Sequence, residues 1–175
     1  MNSITGFLPI ADKSAKILIL GSMPSTASLT KQQYYAHPRN AFWPIMLALY
    51  NHSPELPYQQ RKQLLIAKHI AVWDVLQSCC REGSLDSAIK VESIKINDFQ
   101  LFFSQHPKLK TVCFNGSKAE TVYKKQALPK ILKDFTYLKY HKLPSTSPAY
   151  AAMSLQQKTI IWSNCLKDAL GSLME

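Results

Sequence analysis

Residues 34–43 of this 175-residue chain bring aromatic rings, an imidazole, a guanidinium and an amide together in one short stretch. The stretch has the sequence Tyr-Tyr-Ala-His-Pro-Arg-Asn-Ala-Phe-Trp, and before Phe42 it lacks the hydrophobic period that marks a packed helix or strand. Aromatic faces can stack on a planar heterocycle, and a cation beside them can hold a phosphate. The stretch therefore predicts a site for a heterocycle carried on a phosphate backbone.

A buried sheet is the element that must position this stretch. Continuous apolar runs, typical of strands covered on both faces, predict four strands at residues 16–20, 70–76, 109–114 and 135–143. Helical patterns predict helices at residues 41–50, 57–68, 97–106 and 117–125, and from residue 154 onward. Strands that alternate with helices predict an α/β fold, a three-layer α/β/α arrangement around a mainly parallel four-stranded sheet. We expect residues 1–175 to form one domain, with a loose lead-in at 1–15 and a long loop at 26–39.

Helix start signals sharpen three of these boundaries. Ser117 with Glu120, and Ser154 with Gln157, have the spacing of capping boxes. Asn97 is the predicted N-cap of the helix at 97–106, with Leu101 facing inward.

Three polar or non-periodic segments leave the same edge of the predicted sheet. Residues 21–25 follow the first strand, residues 144–152 follow the fourth, and Asp74 lies near the end of the second. Ligands of parallel α/β sheets bind beyond the carboxyl ends of the strands. One cleft is therefore predicted to collect these segments together with residues 34–43.

The overall charge points to the kind of partner. The chain carries 21 Lys and Arg against 11 Asp and Glu, a net charge of +10, which favours a polyanion, and nucleic acid before a membrane. No apolar run approaches the roughly 20 residues of a membrane span. The N-terminus lacks the features of a signal peptide, so we expect a cytoplasmic location.

Several common site chemistries lack their motifs. The turn at residues 21–25 fails the dinucleotide pattern, and neither a P-loop nor a Gly-x-Ser-x-Gly elbow occurs. The four cysteines, at positions 79, 80, 113 and 165, form no Cys-x-x-Cys pair, and His37 and His141 form no close pair on a helix. We therefore expect reduced, mostly buried thiols, no metal and no cofactor.

Residues 21–25 and 35–43 together resemble the first motif of the uracil-DNA glycosylase superfamily. The run Ala-His-Pro-x-Asn-x-Phe-Trp is similar to that of the mismatch-specific members. Trp73-Asp74 and the Leu-Pro-Ser-Thr-Ser-Pro run at 143–148 resemble the hypoxanthine-DNA (deoxyinosine) glycosylase branch, so the likeness runs from the first strand to the last loop. It implies a monofunctional glycosylase that hydrolyses the N-glycosidic bond of a deaminated base, hypoxanthine first, in base excision repair.

The first motif departs from the mismatch-specific pattern at one position. Those members carry a catalytic Asn immediately before the Pro of the first turn, where this chain has Met23. The resemblance to the deoxyinosine branch implies that Asn40 is the catalytic amide, able to hold a water against the sugar carbon. An N-cap role is the alternative for Asn40, although Pro44 fits best at a first helical position and favours a later helix start.

The resemblance also implies two sets of binding residues. The base-binding set is Gly21, Ser22, Met23, Tyr35 and Asp74, in which Tyr35 stacks on the flipped base and Asp74 contacts its edge. The DNA-binding set is His37, Arg39, Ser145, Thr146, Ser147, Pro148, Ala149 and Tyr150, whose last six members form a loop that enters the minor groove. Structural roles stay open for two of them: His37 as a loop tether, and Asp74 as an acid that bonds backbone amides.

The partner implied by the resemblance is double-stranded DNA that contains a deaminated base, and we expect a monomer. Relatives with an iron–sulfur cluster have four suitably placed cysteines, which this chain does not have, so no cluster is expected. Two other functions remain open. One is a uracil- or mismatch-specific (G:U, G:T) glycosylase, and the other is a non-catalytic member that binds DNA or a nucleotide.

Overall fold

The structure is a computed structural model, and it describes residues 3–171. Its strands are β1 (Ser3–Thr5), β2 (Ile17–Gly21), β3 (Ile70–Asp74), β4 (Leu76–Cys80), β5 (Lys95–Ile96), β6 (Thr111–Asn115) and β7 (Lys139–Leu143). Its α-helices are α1 (Thr26–Lys31), α2 (Phe42–Leu49), α3 (Tyr58–Ala67), α4 (Phe99–Gln105), α5 (Ser117–Val122), α6 (Leu128–Ile131) and α7 (Leu155–Gly171). A π-helical turn at Tyr123–Ala127 joins α5 to α6.

The central sheet has four parallel strands in the order β3-β2-β6-β7. All five residues of β2 are buried, as expected for the apolar run that was predicted to form this strand. The register pairs Gly21 with Asp74 at the carboxyl ends of β2 and β3. The prediction of a mainly parallel four-stranded sheet is confirmed.

Both faces of this sheet are covered by helices, because alternate residues of a strand point to opposite faces. Leu18 and Leu20 of β2 pack in a core with Phe102 and Phe103 of α4. Ile17 and Ile19 pack in a second core, with aromatic residues of α2 and α7. The three-layer α/β/α arrangement follows from these two cores.

A second, antiparallel sheet of β1, β4 and β5 corrects two predictions. Residues 3–5 of the predicted lead-in pair with β4. The run predicted as one strand at 70–76 divides at Val75, whose N–H donates to the Gly21 carbonyl at 2.8 Å before the chain enters β4. A continuous apolar run does not reveal such a change of partner, which is why the prediction was wrong here.

The predicted long loop at 26–39 was wrong over its first part, because residues 26–31 form α1. The Ser25 hydroxyl accepts a hydrogen bond from the Ser28 N–H at 3.2 Å and caps this helix. The fourth strand is also shorter than predicted. Phe135 and Leu138 are buried but precede β7. Their apolar character therefore reflects packing in the core and not hydrogen bonding to a neighbouring strand.

Only one of the three predicted helix caps forms. Ser154 and Gln157 make both bonds of a capping box, at 3.2 and 2.8 Å. The cap of α4 is Asp98 and not Asn97, and Leu101 faces outward with 53% exposure. The helix α5 starts after Gly116 without a side-chain cap, so the predicted box at Ser117 was wrong.

Within residues 3–171, no helix is both long and apolar enough to cross a membrane. Of the four thiols, those of Cys79 and Cys113 are buried and those of Cys80 and Cys165 are half-buried; none is in a disulfide.

Trp162 ties α7 both to the core and to the chain that leaves β7. Its side chain is fully buried, its ring meets Phe42 edge-on at 6.0 Å, and its indole N–H donates to the Pro144 carbonyl at 2.9 Å. We expect Trp162→Ala to lower the free energy of unfolding by about 3–5 kcal/mol, as for other buried aromatic truncations. Urea denaturation measures the change. Ile160→Ala on the same helix, at a side chain 54% exposed, is the control, and equal losses in both variants would contradict the assignment.

Candidate active site

A cleft of about 270 Å³ opens beyond the carboxyl ends of the parallel strands. The structure brings these predicted site residues to its wall: Gly21, Ser22, Met23, Tyr35, Asn40, Asp74, Ser145, Thr146, Ser147, Ala149 and Tyr150. His37, Arg39 and Pro148 are not part of this wall. The sheet edge therefore collects residues from both unusual loops and from the second strand.

Gly21 makes room for the polar floor of the cleft. A Cβ built on this glycine would lie 2.5 Å from Asp74 Oδ1 and 3.1 Å from the Tyr35 hydroxyl. Any larger residue would therefore displace one of these two groups. The last residue of β2 is a glycine because a carboxyl and a phenol approach its backbone closely.

Asp74 is buried at this floor, with 3% of its surface exposed. Its backbone carbonyl accepts a hydrogen bond from the Asn97 amide at 2.8 Å, but its carboxyl atom Oδ2 has no hydrogen-bond partner within residues 3–171. The predicted alternative, in which the carboxyl bonds backbone amides, therefore does not account for Oδ2. Burial first, and then the Asp86 carboxylate, raises the pKa of Asp74 to about 7, while Arg81 opposes the shift.

The segment between β4 and β5 closes one side of the cleft with Asp86. The Ser22 hydroxyl donates to Asp86 Oδ1 at 2.6 Å, and the Thr26 N–H donates to the Ser84 hydroxyl at 2.9 Å. The buried Arg81 guanidinium donates to the carbonyls of Pro24 and Gly83. These bonds fasten the segment to the turn that follows β2.

Tyr35 adopts a left-handed backbone conformation, with φ of 54°, which is uncommon for a residue with a side chain. One face of its ring stacks on Phe42, with the ring centroids 4.1 Å apart. Its hydroxyl is buried without a hydrogen-bond partner within residues 3–171. Burial, followed by the nearby Asp74, raises the pKa of this phenol, which therefore stays a neutral donor.

The neighbouring Tyr34 has a structural role. Its hydroxyl donates to the Leu8 carbonyl at 2.9 Å, and its own carbonyl accepts the Trp43 indole N–H at 2.8 Å. Phe42 and Trp43 are buried, as their apolar character predicts. The bonds of Tyr34 and Trp43 thus hold the aromatic stretch in place, and Tyr35 lies between these two residues in the sequence.

Asn40 lies just before α2, whose N-cap is Ala41, and it lines the cleft. Its Oδ1 accepts a hydrogen bond from the Phe42 N–H at 2.9 Å, so the capping alternative is partly realised. Pro44 stands within the first turn of α2 and not at its first position, so the helix begins earlier than Pro44 indicated. The contact uses one lone pair of the amide oxygen and leaves the other for a water.

The loop after β7 is pinned at its base and exposed at its tip. Thr146 is 1% exposed, its N–H donates to Asn115 Oδ1 at 2.9 Å, and its hydroxyl accepts from Asn115 Nδ2 at 2.8 Å. Its carbonyl accepts the Ala41 N–H at 2.9 Å. The Thr146 side chain therefore fixes the loop and does not face outward, whereas Ala149 and Tyr150 are exposed.

Gly116 allows the loop to lie against the turn after β6. Its φ is 92°, and a Cβ at this position would lie 3.0 Å from the Ser145 Cβ. A side chain here would be strained by the backbone and would push Ser145 outward.

His37 and Arg39 lie on the outer side of the aromatic stretch. His37 Nδ1 accepts a hydrogen bond from the Arg39 N–H at 3.1 Å, which is the tethering role considered for this histidine. The Arg39 side chain is exposed.

The sequence alone did not single out two residues that help form the cleft. Asn115 directly follows the buried part of β6, so the rule that placed Asp74 at the sheet edge could have found it too. Asp86 lies in a polar turn, where acidic residues are common, so its type and position in the sequence do not indicate a functional role. Within residues 3–171, no group of three or more His, Cys, Asp or Glu side chains could hold a metal ion.

Because the buried carboxyl of Asp74 is harder to ionise in the folded state, it makes stability depend on pH. Its folded-state pKa of about 7 exceeds the ordinary 3.8, so folding favours the protonated form. Stability is lost as pH rises from about 4 to 7 and then stays level. Asp74→Asn cannot ionise and does not lose this stability. We expect its free energy of unfolding, relative to that of wild type, to increase by on the order of 2–3 kcal/mol as pH rises from 5 to 8.

Thermal melts of both proteins at pH 5 and pH 8 measure this relative gain. Asp168→Asn is the matched control, because Asp168 is exposed on α7 and its replacement removes the same charge. A gap between Asp74→Asn and wild type that is the same at both pH values would contradict the prediction.

Comparisons with known proteins identify the family of this chain. A family model described as the Uracil DNA glycosylase superfamily matches residues 8–166. Two relatives named hypoxanthine DNA glycosylase are 43% identical (Methanosarcina acetivorans) and 41% identical (Methanosarcina barkeri) over 115 residues, which is 65% of this chain and 72% of each relative.

A solved structure agrees over nearly the whole chain. The solution NMR structure of a protein from Methanosarcina acetivorans, described as a candidate uracil DNA glycosylase, superposes with a TM-score of 0.78 at 34% identity. The match covers 96% of this chain and 99% of that one. With the family match over residues 8–166, this chain belongs to the uracil DNA glycosylase superfamily.

Proposed function

We propose that this protein is a DNA glycosylase that hydrolyses the N-glycosidic bond of a deaminated base in DNA, with hypoxanthine as the preferred base. The relatives named hypoxanthine DNA glycosylase support the activity. The observation that carries the proposal is Asn40, a neutral amide fixed at the wall of a cleft whose buried floor offers unpartnered polar atoms.

The chemistry needs few groups. Breaking an N-glycosidic bond builds oxocarbenium character on the sugar, as in glycoside hydrolysis. Asn40 is not a base, but its oriented amide can hold a water against the sugar carbon, and positioning alone can contribute several kcal/mol. In this proposal Asn40 acts on the sugar side of the bond, while Tyr35 and Asp74 contact the base.

Access to the base requires flipping, which costs a few kcal/mol of unstacking and pairing. One face of the Tyr35 ring lies on Phe42, and the Tyr34 ring lies 6.2 Å away at a tilt of 42°. In this proposal the base stacks on the part of Tyr35 that lines the cleft. Stacking of one base on an aromatic ring contributes about 1–3 kcal/mol, enough to offset much of the cost. The strained backbone at Tyr35 fits such a role, since strain is retained where the surroundings hold a functional group in place.

The charge of the protein fits a DNA substrate. The net charge of +10 attracts the phosphate backbone, and the exposed Arg39 lies on the loop that also carries Asn40. A uracil or mismatch glycosylase is the second candidate, supported by the description of the NMR neighbour. A monomeric state and a cytoplasmic location stay predictions.

A substrate panel tests the activity. Duplexes with deoxyinosine, deoxyuridine or thymidine opposite each normal base are incubated with excess protein, and abasic product is cleaved with alkali. We expect hypoxanthine to be released fastest, and Asn40→Ala to slow its release by at least about 100-fold because the water is no longer positioned.

Folding and duplex binding of Asn40→Ala are checked by thermal melting and by fluorescence anisotropy, and both should stay near wild type. Release of uracil alone would favour the second candidate, and release of no base at all would leave only a binding function. A wild-type rate in the variant would remove Asn40 from the mechanism.

The exposed tip of the loop after β7 generates a second prediction. The base of the loop is fixed through Thr146 and Asn115, so its tip can enter a groove with little loss of entropy. We expect replacement of residues 148–150 by three glycines to slow release of hypoxanthine from duplex at least about tenfold more than from single strands, because a wedge assists mainly where the base is paired.

The matched control replaces residues 53–55, an exposed turn that also contains a proline and does not line the cleft, by glycines and serves as a test of general loosening. Equal slowing on duplex and single-stranded substrates, at unchanged melting temperature, would contradict the wedge.

A further inference from the structure

The cleft floor contains a buried acid whose carboxyl is not fully hydrogen-bonded. Asp74 has only 3% of its surface exposed, and its Oδ2 has no hydrogen-bond partner within residues 3–171. It lines the cleft together with Tyr35, whose buried hydroxyl also has no hydrogen-bond partner among these residues. A buried polar atom without a partner costs about 1–3 kcal/mol. Such a cost is retained at a site where a ligand supplies the partner.

We propose that Asp74 is the general acid of the reaction, and that its carboxyl donates a proton to a ring nitrogen of the departing purine. This inference rests on the proposed function and assigns the protonation state and the step in which the carboxyl acts. It goes beyond contact with the base edge, for which an amide would serve equally well.

The groups that face Asp74 favour a protonated carboxyl. From the segment after β4, Asp86 adds a like charge that favours the protonated form, whereas the charge of Arg81 favours the anion. Arg81 donates to the Pro24 and Gly83 carbonyls, and its Nη1 has no hydrogen-bond partner within the described residues. From the aromatic stretch, Tyr34 and Tyr35 add neutral phenols. No salt bridge to Asp74 forms within the described part of the chain. Burial and the like charge of Asp86 outweigh the opposing charge of Arg81, in line with the raised pKa of Asp74.

The proton balances the reaction. The bond between C1′ and N9 breaks, and its electron pair goes to the base. The Asp74 carboxyl gives its proton to a base nitrogen with a free lone pair, N7 or N3, so that hypoxanthine leaves neutral. The water held by Asn40 adds its oxygen to C1′ and loses a proton to solvent, and solvent returns a proton to the Asp74 carboxylate.

The step selects for purines. Hypoxanthine has ring nitrogens with lone pairs besides the one that is bonded to the sugar. Uracil has none, because its second ring nitrogen carries a hydrogen. A general acid is therefore of greater use for hypoxanthine than for uracil, and loss of the acid should narrow the difference in rate between them.

The test is the pH dependence of single-turnover release of hypoxanthine from duplex between pH 5.5 and pH 8. We expect the wild-type rate to fall about tenfold between pH 6 and pH 8, because the acid form is lost. We expect Asp74→Asn to be slower by about 100-fold or more at pH 6 and to show no such fall, since general acids contribute about 10²–10⁴-fold.

Asparagine keeps a hydrogen-bond donor but cannot release a proton, so this variant separates donation of a hydrogen bond from transfer of a proton. A wild-type rate in Asp74→Asn, or a wild-type rate that rises with pH, would overturn the proposal. Thermal melting shows whether the variant is folded. Failure to release any base at any pH would overturn the proposed function itself, whereas release without this pH dependence would overturn only the acid.

A second variant tests the assignment without changing Asp74. Asp86→Asn removes the like charge and keeps an oxygen that can accept from the Ser22 hydroxyl. The Asp74 carboxyl should then ionise more easily, and the fall in rate should move to lower pH by at least half a unit, roughly the effect of one nearby charge. Glu92→Gln, at an exposed acid elsewhere on the chain, is the matched control and should leave the profile in place. An unchanged profile in Asp86→Asn would count against Asp74 as the titrating group.

Discussion

The pairing of Gly21 with Asp74 at the carboxyl ends of two parallel strands is the contact on which the rest of the site depends. Parallel strands place their carboxyl ends at one edge, and only a residue without a side chain leaves room there for a carboxyl and a phenol. A shift of the register by one residue would turn Asp74 to the other face of the sheet. The depth, burial and polarity of the cleft floor all follow from this register.

The walls of the cleft are loops, yet each is fixed by bonds to another loop or to the core. The Asn115 side chain holds Thr146 by two hydrogen bonds, Trp43 holds the Tyr34 carbonyl, and Ser22 holds Asp86. Segments that are distant along the chain are thereby set in fixed positions relative to the sheet. The proposed reaction, in which the site positions a water and a flipped base, would depend on this rigidity, because positioning contributes much of the catalysis.

The sequence predicted the parts of the fold that depend on local pattern. Apolar runs identified the four parallel strands. The rule that ligands bind beyond the carboxyl ends of parallel strands predicted that Asp74, Asn40 and the loop after β7 share one cleft. The antiparallel sheet was missed because β1 is only three residues long, with its ends exposed, and because β4 begins at Leu76, the last residue of the apolar run that contains β3. Asp86 could not be found from sequence, since its place in the cleft depends on hydrogen bonds to residues more than fifty positions away.

Met23 shows how the roles in the site are divided. In mismatch-specific relatives the turn after the first strand of the sheet supplies the amide, but here this turn carries a methionine that is 7% exposed and packs in the core. The side chain at this position therefore packs and offers no amide, and the remaining amide of the motif, Asn40, lines the cleft just before α2. In the proposed mechanism, the neutral amide of Asn40 acts on the sugar side and the buried carboxyl of Asp74 on the base side of one bond. Under this proposal an acid at position 74 serves the reaction only when it is protonated, because an anionic carboxylate would oppose the charge that develops on the leaving base, whereas a protonated one relieves it.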